Sequence, residues 1–352
     1  MSSKRFFICA VCVSLVLLVL FAGLTVYIDP FFHYHAPIDG ISYRLTDQRH
    51  QNDGILRHYT YDSVIIGTSM TQNFKPSEFD ALFDANSIKV PFSGAYLNEL
   101  GENLRTGFDS GNEIKRVLMS LDLLTVIAKK DALQLNYEYP EYLYDDNIFN
   151  DVKYFFNKRV LLEYTLEDVR RTLSGQPTTS LDEYSNWSDS FKYGMDAVIA
   201  DFEKSAIKSN PRVLNDQYID RIRDNIETNL LSVTREHKDT EFIIFIPPYS
   251  IVKMYAYLSE GSLDFCFDVY KEAARMLLSM ENVRLFSFYD DNELVCDLDN
   301  YRDMTHYGEW INTHILECIK DGEHELYSDT YAEYFDRISE YYREYDYSYL
   351  FD

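Results

Sequence analysis

Apolar and polar positions divide the chain into one long charge-free stretch and a body in which short apolar runs alternate with segments of helical period. The long stretch is Phe6 to Ile28, FFICAVCVSLVLLVLFAGLTVYI. As a helix it reaches about 34 Å, enough to cross a hydrocarbon core. Lys4 and Arg5 precede it and Asp29 follows it. The positive-inside rule therefore puts residues 1–5 in the cytoplasm and everything from Asp29 onward outside. The rival expectation is a cleaved signal peptide, whose apolar core is usually about 7–15 residues and ends in a small-x-small site. Here only Ala22-Gly23 offers small residues near the end, and no Cys follows to support lipoprotein processing. An uncleaved signal anchor, single-pass in the cell membrane, is the favoured expectation.

Beyond a juxtamembrane segment (29–60), five runs read as strands: Ser63–Gly67, Ser87–Pro91, Arg116–Leu121, Phe242–Ile246 and Val283–Phe288. Near-continuous apolar strands are buried on both faces, as in a parallel sheet covered by helices. Helical period is expected over Asn98–Asp109, over Arg212–Lys238 opened by Asn210-Pro211, over Leu263–Met280 and over Gly308–Lys320. The alternation predicts a three-layer α/β/α fold with a parallel sheet over residues 61–320. About 120 residues separate the third and fourth strands, more than a crossover needs, so an insert is expected at about 127–207. Its Tyr/Asp-rich part, Asn136–Lys158, reads either as a cap facing substrate or as an elaboration packing its aromatics on the body. Residues 321–352 read as an amphipathic C-terminal helix, with aromatics at helical spacing over Ser328–Asp352.

Composition narrows the partners. With 33 Lys+Arg against 58 Asp+Glu the formal net charge is -25, which argues against nucleic acid. Hydrophobic residues at 46%, with 30 Tyr and 23 Phe, exclude a disordered acidic chain. Of 5 Cys, only Cys266, Cys296 and Cys318 lie in the body, at spacings that match no zinc site. No disulfide framework, metal or cofactor is expected.

Two elements could carry chemistry. The first strand ends in Gly67-Thr68-Ser69-Met70, and catalytic groups of parallel sheets gather at strand carboxyl ends. Ser69 reads as an exposed nucleophile or as a simple helix cap. Thr71 stands where the α/β-hydrolase elbow has its second Gly, which argues against that fold. The second element is Asp303-Met304-Thr305-His306, after the fifth strand. A carboxylate three residues before a His can reach the imidazole Nδ1 and free Nε2 as a general base, or can cap the following helix.

The pair G-T-S-M (Gly67–Met70) and D-x-x-H (Asp303, His306) resembles the SGNH (GDSL-like) hydrolase superfamily. That resemblance implies a flavodoxin-like SGNH fold, a Ser69–His306–Asp303 triad and an oxyanion hole made by the N–H groups of Ser69 and Gly94. Ser93-Gly94 in VPFSGAY stands where the family's second-block Gly belongs. The third block departs from the pattern: Asp122, in Ser120-Leu121-Asp122, occupies the place of an Asn that donates to the oxyanion. An ionised carboxylate there would repel the developing charge. Asp122 is then protonated, or points away, or the third donor comes from elsewhere. Such a loss is similar to the membrane-anchored branches that act on cell-surface glycopolymers, the teichoic acid D-alanine-transfer proteins and alginate O-acetyltransferases. YIDPFFHYH (27–35), FIPPYS (245–250) and NYRDMTHY (300–307) fit that exported branch.

The implied function is a serine esterase or O-acyltransferase working on acyl groups of a cell-envelope glycopolymer or acylated carbohydrate through an acyl-Ser69. A polytopic membrane acyltransferase is implied as the partner that hands over the acyl group. Thr68, Ser93, Asp122, Pro248 and Tyr249 would line the substrate pocket. The alternative is a non-catalytic, membrane-anchored glycan-binding or scaffolding protein with the same fold. A metal-dependent phosphohydrolase lacks a convincing ligand cluster. Of the remaining candidates, His33 and His35 could hold a metal or form an interfacial belt with Phe31, Phe32 and Tyr34. Arg49, His50, Arg57 and His58 could meet an anion or pack on the anchor. Asn186-Trp187-Ser188 matches a glycosylation acceptor.

Overall fold

The computed structural model describes residues 3–134, 140–145, 147–200 and 210–351. Of the Tyr/Asp-rich segment, residues 136–139 and 146 lie outside these, as does the end of the expected insert. The chain forms two compact units, residues 1–60 with 135–184, and residues 61–134 with 185–352.

In the first unit, helix α1 (Ser3–Ile28) is long and apolar enough to cross a membrane. Its exit is built around Asp29, which adopts a left-handed φ of 48° before Pro30. An Asp tolerates that conformation better than most residues. The Asp29 carboxylate accepts the N–H groups of His33, Tyr34 and His35 at 3.1, 2.7 and 3.1 Å. It also accepts the Tyr154 hydroxyl at 2.7 Å. The chain is thereby turned so that Phe31 enters an apolar cluster with Tyr142, Leu143, Tyr154, Val160 and Tyr164. Those aromatics of the insert therefore pack inside their own unit. Helix α2 (Gln48–His58), which the sequence pattern does not announce, is capped by Asp47 and nearly all buried. The Gln51 side chain satisfies four main-chain groups, the N–H of Thr46 and Asp47 and the carbonyls of Pro30 and Arg44. His33 faces Asp151 at 3.4 Å and His35 bonds main-chain carbonyls. Among the described residues no cluster could hold a metal.

The second unit carries a six-stranded sheet: β1 (Ser63–Gly67), β2 (Ser87–Pro91), β3 (Arg116–Ser120), β4 (Glu241–Ile246), β5 (Val283–Ser287) and β6 (Glu325–Leu326). Its order is β2-β1-β3-β4-β5-β6, parallel up to β5, with β6 antiparallel. The five parallel strands have the flavodoxin-like order. Right-handed crossovers then put the β1–β2 helix on one face and the next three connections on the other. Helix α3 (Pro76–Phe83) accordingly packs with the helix Glu309–Asp321. Helix α4 (Leu97–Asp109) packs with the long helical stretch before β4.

Several boundaries differ from the sequence expectation. The stretch before β4 begins at Asp216, capped by the Asn215 side chain, so Asn210-Pro211 does not open it. It passes through a π-turn at Glu227–Leu231 before ending at Glu236. Leu121 and Phe288 fall just beyond β3 and β5, although both are buried. The C-terminal helix is confined to Tyr331–Glu344, because β6 and a turn precede it and extended backbone at Tyr345 follows it.

Gly67, the last residue of β1, has a φ of +154° and lies against Ser120 of β3. A Cβ there would sit 2.3 Å from Ser120 Oγ and 3.1 Å from its main-chain nitrogen. Gly67→Ala should therefore cost about 2–3 kcal/mol of stability, read as a lower urea midpoint at unchanged slope.

Candidate functional site

Ser69 opens a single 3-10 turn (Ser69–Thr71) immediately past β1. Thr68 caps that turn, its Oγ1 accepting the Met70 N–H at 3.4 Å. The Asp303–His306 loop is closed at its base by the Tyr301–Tyr307 bridge and by the Arg302 N–H donating to the His306 carbonyl at 3.0 Å. It is tied to the end of β4 by Ser250, whose N–H and hydroxyl both donate to the Met304 carbonyl, at 3.1 and 2.9 Å.

These constraints bring the two sequence motifs together. His306 Nε2 lies 2.8 Å from Ser69 Oγ across 237 residues of chain. His306 Nδ1 lies 2.8 and 3.0 Å from the two Asp303 oxygens. A proton on Nδ1 facing the carboxylate leaves Nε2 to accept from the serine hydroxyl. Burial pushes the Asp303 carboxyl up. The hydrogen bond and charge of His306 and the N–H groups of Thr305 and His306 outweigh this and hold it below the usual carboxylate range.

Asp122 follows β3 and is buried at the same edge. Its Oδ2 accepts the Thr68 hydroxyl at 2.6 Å and the Ser120 hydroxyl at 3.2 Å, and its Oδ1 accepts the Tyr249 hydroxyl at 2.9 Å. Ser120 Oγ also accepts the Thr68 N–H at 3.2 Å, and Thr68 Oγ1 that of Met70, so each hydroxyl links the main chain of the serine turn to Asp122. Burial pushes this carboxyl up, while the hydroxyls of Thr68, Tyr249 and Ser120 act against that rise. Asp122 thus faces the serine turn through Thr68, with both its oxygens engaged.

The main-chain N–H groups of Ser69 and Gly94 have no acceptor among the described residues. Gly94 holds a left-handed φ of 65° and its carbonyl accepts the Gln134 amide at 3.0 Å. Ser69, Gly94, Thr68, Asp122, Tyr249 and His306 line one cavity of about 410 Å³. Ser93 and Pro248 are not among its lining residues, and the Pro248 carbonyl instead accepts the Tyr301 hydroxyl at 3.3 Å. Arg49, His50, Arg57 and His58 lie on or at the end of α2 in the first unit, where Arg57 pairs with Asp53 at 2.7 Å.

Two site residues were not singled out from sequence. Trp187, read only as part of a glycosylation acceptor, stands edge-on to the His306 ring at 5.8 Å and donates its indole N–H to Gln72 at 2.7 Å. Arg302 lies over the rings of Trp187 and Phe191 at 4.0 and 3.9 Å, with Nε 3.3 Å from Asp303. The only signal was adjacency of Arg302 to the D-x-x-H motif; Trp187 reaches the site through tertiary packing.

No protein-family model matches the chain, and no curated protein matches it. A solved structure from Streptococcus pneumonia, provisionally described as a platelet activating factor, is similar at 11% identity with a TM-score of 0.41. The similarity covers 78% of this chain and 92% of that one.

Truncating Asp122 to Ala would leave three buried hydroxyls without their acceptor. Asp122→Ala should lose on the order of 3 kcal/mol in urea unfolding, and Asp122→Asn clearly less, because the amide oxygen still accepts from two of them.

Proposed function

We propose that this chain is a membrane-anchored, SGNH-type serine esterase or O-acyltransferase acting on acyl groups of a cell-envelope glycopolymer. The observation that carries the reading is the continuous path from Ser69 Oγ through the His306 imidazole to Asp303. In this scheme Ser69 Oγ attacks the ester carbonyl carbon as its proton passes to His306 Nε2, and the Asp303 carboxylate stabilises the imidazolium. The N–H groups of Ser69 and Gly94 receive the oxyanion. The carbonyl-to-alcohol C–O bond then breaks, and the departing alcohol takes the proton from Nε2. Water or a sugar hydroxyl next gives its proton to Nε2 and attacks the acyl carbon; the carbon–Oγ bond breaks, and Ser69 Oγ takes the proton back from Nε2.

The engagement of both Asp122 oxygens by hydroxyls supports this reading over the non-catalytic one. Its acceptor character is satisfied within the fold, and through Thr68 it braces the turn that presents Ser69. Lys4 and Arg5 before α1 support export of the catalytic body, and the resemblance to the membrane-anchored branches implies a polytopic membrane acyltransferase as the acyl donor.

Turnover of p-nitrophenyl acetate by the full chain in detergent should fall by about 10³-fold or more in Ser69→Ala and in His306→Ala. The double variant should be no slower than either, as for groups that act as one unit. Unchanged turnover in Ser69→Ala would sink the proposal.

A further inference from the structure

Within the first unit, α1 is not the only element whose apolar side chains lack cover. Ile148, Phe149, Val152, Phe156 and Leu162 are also exposed, Ile148 at 68% and Phe149 at 84%. A soluble surface rarely gathers so many large apolar groups in fifteen residues. Their position relative to α1 gives the pattern meaning. Phe155 and Phe156 line an apolar recess of about 700 Å³ together with Val19, Gly23, Val26 and Tyr27 of α1. Val19 precedes the end of the helix by nine residues, or about 13 Å along its axis. When α1 spans a hydrocarbon core of about 30 Å, that recess lies at the depth of the outer leaflet's acyl chains.

We infer that the segment Asn147–Leu162 is a second membrane element, immersed in the outer leaflet beside α1, with lipid acyl chains as its occupant. The inference rests on reading α1 as a membrane span and is independent of the acyl-transfer chemistry. Immersion favours main-chain polar groups that are satisfied internally, and most of the segment's N–H groups are. The Phe149 N–H donates to the Asn147 side chain at 3.2 Å, and the Asn147 N–H to Asp145 at 2.8 Å. The N–H groups of Asn150, Lys153, Tyr154, Phe155 and Phe156 all donate to carbonyls within the segment. Lys153 and Lys158 are exposed on either side of Phe155–Phe156, where their ammonium groups can reach lipid phosphates while their stems stay apolar. The apolar surface of the segment is continuous with that of α1, which makes lipid the fitting cover for both.

The test uses the full chain in phosphatidylcholine–phosphatidylglycerol vesicles, with Trp introduced singly as Phe149→Trp, Phe156→Trp or, in α1, Val16→Trp. The native chain serves as the background. Phe149 is so exposed that the first variant folds without repacking, and Phe156→Trp provides an independent reading. For both segment variants the added emission should be blue-shifted and fall about twofold when the acyl chains are brominated, as for interfacial helices immersed to that depth. Quenching of Val16→Trp without quenching of either segment variant would overturn the inference and leave the span intact. Absence of quenching at all three would overturn both. A blue shift at Phe149→Trp that is insensitive to bromine and lost on dilution into excess lipid would show a second copy as the cover, and would equally overturn it.

Discussion

Asp122 is the constraint around which the carboxyl edge of the sheet is arranged. A carboxylate buried this deeply is tolerated only with its lone pairs occupied, and three hydroxyls from three segments occupy them. One belongs to Thr68, which caps the turn of Ser69; one to Ser120, against which Gly67 is packed too closely for any side chain; one to Tyr249, which follows β4. Asp122 holds the serine turn through Thr68, and Ser69 Oγ lies 2.8 Å from His306 Nε2. At the end of β3 the chain thus carries an acceptor that ties the serine turn to the neighbouring strands.

Asp29 does the same work at the other end of the chain. It collects three successive N–H groups and the Tyr154 hydroxyl where α1 gives way to the folded unit. A helix end exposes unpaired main-chain groups, and a single buried carboxylate satisfies the loop that follows and aims Phe31 into the aromatic cluster. In a chain of net charge -25, both carboxylates are placed by hydrogen-bond donors from hydroxyls and main chain, with no cation required.

The legible part of the fold was the part written in local periodicity. The five parallel strands are buried along nearly their whole length and carry mostly apolar residues, so their runs stand out and their ranges fall within a residue of expectation. The element β6 is two residues long and carries no such run. Helix α2 is buried yet polar, its cohesion coming from side chains such as Gln51 that no hydropathy pattern weights. Asn210-Pro211 carries a start signal, but Asn215 offers a cap nearer the apolar face and takes the role. In the site, Ser69, Asp303 and His306 were visible because strand ends and a three-residue spacing are local facts. Trp187 and Arg302 were not, because their stacking joins distant stretches of sequence. The insert's aromatics had two readings, a cap or internal packing; Tyr142, Tyr154 and Tyr164 are packed within the first unit.

If His306 activates Ser69 as a nucleophile, a fluorophosphonate incubated with the full chain in detergent should leave, by intact mass and peptide mapping, one stoichiometric adduct on the peptide containing Ser69, formed at a rate that collapses in His306→Ala. A folded chain that stays unmodified, or one labelled elsewhere with Ser69 untouched, would contradict it.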